Sequence, residues 1–91
     1  MTTSFTSLSP ATIAAANVSR RNLVIEMASD GPILYVLLHD TCNPDAVVST
    51  TNYSFTMRNL DYWESPLNFV GKVSGFLDSA GNALVTEITS C

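Results

Sequence analysis

Charge is scarce in this chain, and positive charge is scarcest. Three Arg and one Lys stand against eight acids in 91 residues, a formal net charge of -4. Binding to nucleic acid regardless of sequence relies on Lys and Arg to neutralise phosphates, so this balance argues against DNA or RNA as a partner. Cysteine is nearly absent: Cys42 and Cys91 do not make a disulfide framework and read as free thiols. The longest strongly apolar run, residues 33–38, is far below the roughly 20 residues that span a bilayer. No basic stretch precedes an apolar one near Met1, as a secretion signal would require. No membrane partner is expected. The four glycines are scattered, so no glycine-rich loop cradles a phosphate. Asn17-Val18-Ser19 and Asn52-Tyr53-Ser54 match a glycosylation triplet, but without a secretion signal they read only as turn and surface sequence.

Apolar residues are plentiful at 46%, which argues against disorder, and 91 residues leave room for one core. A domain this short buries only about 60% of its unfolded surface. Stability shared between subunits is therefore expected, and with it a homo-oligomer. The 11 Ser and 10 Thr leave a neutral, hydroxyl-bearing surface suited to packing against protein.

Thr, Val, Ile, Phe, Tyr and Trp supply 30 of the 91 residues in short runs broken by Gly, Pro, Asn and Asp. The pattern is all-β. Residues 23–28 alternate, with Leu23, Ile25 and Met27 facing one way, before Asp30-Gly31-Pro32 turns the chain. Residues 33–38 are apolar on both faces and read as a central strand. The polar run HDTCNPD from His39 to Asp45 reads as an ordered loop. Residues 51–58 set Tyr53, Phe55 and Met57 against Asn52, Ser54, Thr56 and Arg58. Shorter strands are expected over residues 60–64, 69–70 and 71–77. Residues 78–82 then read as a hairpin loop with Gly81 or Asn82 at positive φ. The last strand, residues 83–89, is expected to turn Leu84 and Ile88 inward beside Thr86, with Val85 and Glu87 outward. About seven short antiparallel strands indicate a small β-sandwich or a partly closed β-barrel over residues 23–91.

Residues 1–22 differ by containing no acid. Ser9-Pro10 suits the start of a short helix through Ala14 to Ala16. The alternative is an extended arm whose Phe5, Leu8 and Ile13 lie on a partner chain or on the domain's own sheet. Arg20 and Arg21 read either as a solvated pair at a strand entrance or as a salt contact to another subunit or a host surface. Tyr62, Trp63 and Pro66 divide in the same way between core and interface. The protein-interface candidates are thus Arg20, Arg21, Phe5, Leu8, Tyr62 and Trp63.

Catalysis is not expected. His39 is the one candidate base, beside Asp40 and Cys42, yet no residue set supplies both nucleophile activation and charge stabilisation. His39, Asp40, Cys42 and Asp45 are too mixed for structural zinc. Asp40, Asn43 and Asp45 lack the glycine and terminal Glu of a calcium loop. No cofactor or metal is expected.

The segments AANVSRRNLVIEM (residues 15–27), DGPILYVLL (30–38), STTNYSFTM (49–57), YWESP (62–66) and VSGFLDSAGNALVTEIT (73–89) together resemble a group of small virion proteins of tailed bacteriophages. The resemblance covers roughly residues 15–90. It carries Arg20, Arg21, Tyr35, Asn52, Tyr53, Trp63, Glu64, Gly75, Phe76 and residues 82–87 as recurring structural positions, without catalytic roles. The chain departs from simpler members by the insertion HDTCNPDAVV, which leaves open a particle-specific contact or a neutral decoration of a turn. The resemblance implies synthesis in a bacterial cytoplasm, incorporation into a virion and a non-enzymatic role. The leading expectation is a capsid decoration or cement protein on the capsid surface, bound to the major capsid protein. A tail, neck or fibre-adaptor part is the second expectation, and a carbohydrate-binding β-sandwich using Tyr62 and Trp63 the third.

Overall fold

A computed structural model describes residues 2–39, 45–65 and 69–89. They form eight strands: β1 (Thr2–Phe5), β2 (Ala11–Ala14), β3 (Arg20–Met27), β4 (Leu34–Leu38), β5 (Phe55–Met57), β6 (Tyr62–Glu64), β7 (Val73–Leu77) and β8 (Ala83–Thr89). Every pairing is antiparallel. Sheet A has the order β1-β8-β3-β6 and sheet B the order β2-β7-β4-β5. The first strand therefore pairs with the last, the second with the seventh, the third with the sixth and the fourth with the fifth. That connectivity defines a jelly roll. The sheets are not closed into a barrel.

Residues 1–22 do not stand apart from the domain. β1 and β2 each add an edge strand, one to each sheet, and β3 begins at Arg20. Residues 14–16 form no helix. Of the two readings of this segment, it is the extended one, laid on the domain's own sheets, that describes it. Phe5 is buried among core residues from both sheets.

The core follows strand parity. Leu23, Ile25 and Met27 of β3 face Leu34 and Val36 of β4, with Met57, Val73, Leu77, Ala83 and Val85 completing it. β4 lies between β7 and β5, as its doubly apolar sequence required. Two expectations for the last third of the chain are corrected. β7 and β8 belong to different sheets, so residues 78–82 arch between sheets and make no hairpin. The φ values at Gly81 and Asn82 are negative, and positive φ occurs at Gly31 (107°) and Leu60 (58°).

The phase of β8 is also opposite to its hydrophobic pattern. Ala83 and Val85 are buried, whereas Leu84 is only partly covered and Ile88 is 49% exposed. Register explains the inversion. Ile25 pairs with Val85 and Leu23 with Glu87, so the inward parity of β3 carries Val85 and Glu87 inward with it. Residues 69–70, expected as a very short strand, take no strand structure, and the strand expected over residues 51–58 shortens to β5.

Candidate interaction surface

The two outer faces of the sandwich are unlike. On sheet B residues 45–48, which precede β5, lie against the sheet. Val48 is buried outside the main core, and residues 45–48 wall a cleft of about 250 Å³ with Thr12, Lys72 and Ser74. The outward-facing Leu37 and Ser74 are consequently buried. His39 Nε2 lies 2.6 Å from Ser74 Oγ, and the His39 amide donates to Lys72 O at 3.0 Å. These bonds tie the end of β4 to β7. The imidazole expected beside Cys42 as a conceivable base is thus engaged by a buried hydroxyl, and residues 40–44 lie outside the described residues. Farther along the same face, Tyr35 stacks on Phe76 at 4.9 Å and meets Tyr53 edge-on at 5.3 Å.

None of the outward side chains of sheet A is buried. Pairing places them in rows: Ser4, Leu84, Glu26 and Tyr62 in one, Thr2, Thr86, Val24 and Glu64 in the next, then Ile88 beside Asn22. Val24, Leu84, Ile88 and Tyr62 alternate on this face with Glu26, Glu64, Thr86 and Asn22, and Tyr62 is 59% exposed. Thr2 and Thr86 hydroxyls are 2.7 Å apart, and Asn22 Nδ2 donates to Glu64 Oε2 at 2.6 Å, which orders the polar positions. A face ordered in this way buries apolar area without first having to be rearranged.

The six interface candidates separate by strand parity. Phe5 is in the core. Trp63 turns inward, its ring 4.9 Å from Phe55, while its neighbour Tyr62 points out. The two rings lie on opposite faces of β6 and do not form one sugar-stacking platform. Arg20 is wholly inside. Its Nε donates to Glu87 Oε2 at 2.7 Å, Nη1 to Gly71 O at 2.8 Å and Phe69 O at 3.4 Å, and Nη2 to Ala15 O at 2.6 Å. That side chain is 0% exposed and clamps two connections and β8 at one end of the sandwich, so the readings as a solvated pair and as an intersubunit contact both fail for Arg20. Arg21, one residue on at a β-bulge, is exposed. Leu8 is exposed in the β1–β2 connection.

The surface residues that sequence reasoning missed are Val24, Leu84 and Ile88. Leu84 and Ile88 were assigned to the core by their hydrophobicity, and Val24 was placed opposite the core without a role. Among the described residues no group of three or more His, Cys, Asp or Glu is arranged to hold a metal ion, and no helix is long and apolar enough to cross a membrane. Pro66, Cys42 and Cys91 lie outside the described residues. No protein-family model, curated protein or solved structure matches the chain.

Proposed function

We propose that this protein is a non-enzymatic virion component, a capsid decoration or cement protein that seats the outer face of sheet A on assembled major capsid subunits and stabilises the head. The observation that carries the reading is the outer face of sheet A, which leaves Ile88 and Tyr62 exposed and Val24 and Leu84 half-buried, whereas residues 45–48 cover part of sheet B at Leu37 and Ser74. The sequence resemblance to small virion proteins supports the setting. Jelly rolls serve in viral capsids and also in lectins, so the fold by itself does not select between them.

In this reading the four apolar side chains supply contact area, and the interleaved Glu26 and Glu64 face cations on the capsid subunits. Desolvated carboxylate pairs with Arg give register and orientation more than raw affinity. One copy offers only part of one four-stranded sheet. Repetition on a lattice makes such weak contacts durable, because each copy that also touches its neighbours rebinds at high effective concentration.

The test is a reconstruction of heads assembled without the protein and then incubated with it. Density at repeated positions of the head, contacted by sheet A, is the expected result. Density confined to the portal vertex or tail selects a tail, neck or adaptor role instead, and no density on any particle overturns the reading. Leu84→Lys, an outward position, should weaken binding at least tenfold while the purified variant keeps the wild-type unfolding curve.

A further inference from the structure

Sheet A and sheet B share an edge formed by β1 and β2, and the other edge is formed by β6 and β5, where Trp63 meets Phe55. Edge strands carry unpaired N–H and C=O groups, and proteins ordinarily blunt them with charge, proline, bulges or shortness. Three of the four edges here are blunted. β5 has three residues and runs into Arg58, β6 has three residues and ends at Glu64, and β2 follows Pro10 and is irregular between Thr12 and Ala14. β1 is as short as β2 but has no charge, proline or bulge. Its four residues TTSF hold an unbroken register with β8 from Thr2↔Thr86 to Phe5↔Ala83.

Charge distribution points the same way. Each copy carries a formal -4, so two copies repel wherever acids meet. Residues 2–19, which contain both β1 and β2, have no ionisable side chain. A cleft of about 440 Å³ opens on this edge, lined by Thr3, Ile13, Ala14, Ala15, Val85, Glu87 and Thr89. Its one charged member, Glu87, is paired with Arg20. The uncharged edge is where two acidic copies approach without bringing carboxylates together.

We propose that β1 is a homotypic docking strand: two copies of β1 pair antiparallel about a two-fold axis at Thr3, with Thr3 opposite Thr3 and Thr2 opposite Ser4, joining two A sheets into one of eight strands. An antiparallel pair of identical strands is self-complementary, which is the requirement of an isologous contact. Thr and Ser opposite one another suit such a pair, because Thr is a strong strand former and hydroxyls bond across strands. The contact leaves the outer face of sheet A free and doubles its area. It holds whether or not that face binds a capsid.

Sedimentation equilibrium and native mass spectrometry of the full chain test the proposal, together with hydrogen exchange at two concentrations. The expected result is a reversible dimer, with amide protection in β1 rising with concentration. Thr3→Lys and Thr3→Glu place like charges across the two-fold axis. Each alone should shift the monomer–dimer midpoint more than tenfold upward, and mixing the two should restore a dimer containing one copy of each. Restoration also shows that both variants are folded. Thr51→Lys, remote from β1, should leave the midpoint unchanged. A wild-type chain that is monomeric to about 1 mM overturns the proposal. So does a dimer that both Thr3 variants leave intact, or protection that rises anywhere except β1.

Discussion

Arg20 shows how much one side chain can decide when a chain has only four basic residues. Its guanidinium donates to Glu87 and to the carbonyls of Ala15, Phe69 and Gly71, so one residue joins the β2–β3 and β6–β7 connections to β8. Only a planar fork with several donors reaches these acceptors at once, and a lysine ammonium does not. Arg20→Lys should therefore cost about 2 kcal/mol, measured as a shift of the urea midpoint, because buried acceptors lose partners. Arg21→Lys should change stability by less than about 0.5 kcal/mol, as exposed substitutions do. Leu60 gives the opposite case. It occupies the third position of a turn closed by Asp61 N donating to Arg58 O, at φ 58° and 77% exposed. A side chain there is strained in the left-handed region and gains little from packing. Leu60→Gly should raise stability by about 0.5–1 kcal/mol, read in a thermal melt.

At the scale of elements, the N-terminal strands make the strongest claim. A docked arm is dispensable to the domain beneath it, whereas an edge strand that buries Phe5 in the core is not. Deleting residues 1–14 should cost at least about 4 kcal/mol, from loss of Phe5 alone, and turn a cooperative melt into a broad one. A truncated chain that melts like the full one would refute this role of β1 and β2. The alternating and doubly apolar strands were legible: β3 and β4 stand close to where periodicity puts them, and Leu23, Ile25, Met27, Leu34 and Val36 are core. The phase of β8 was not legible. Leu84 and Ile88 outweigh Ala83 and Val85 in hydrophobicity, and only the register with β3 and the partner of Glu87 reverse them. Among the interface candidates, Arg20 and Trp63 turn inward while Arg21 and Tyr62 are exposed, because adjacent residues in a strand point opposite ways. The arch at residues 78–82 escaped because turn residues mark a reversal without saying which sheet receives the chain.

For the whole molecule, the pairing of β1 with β8 places Thr2 beside Thr86, and few of the sheet contacts are local. Such topologies fold slowly for their size, because distant segments must meet before any pairing rewards the loss of chain entropy. Refolding from urea should take milliseconds to seconds in a stopped-flow experiment, and a microsecond phase carrying the full amplitude would contradict it. The strand order has a further meaning for synthesis in the cell. Of the eight described strands β7 and β8 are the last in chain order, yet each is an interior strand, holding β2 to β4 in one sheet and β1 to β3 in the other. At about 5–20 residues per second, translation of the first 72 residues takes several seconds, during which neither sheet can be completed. The growing chain therefore carries Leu23, Ile25, Leu34 and Val36 without their cover until β7 and β8 have emerged from the ribosome. Ribosome-bound chains halted before β7 should be open to protease and to chaperones, and the passage from vulnerable to protected should come only when β7 and β8 have left the ribosome, through release or a C-terminal extension.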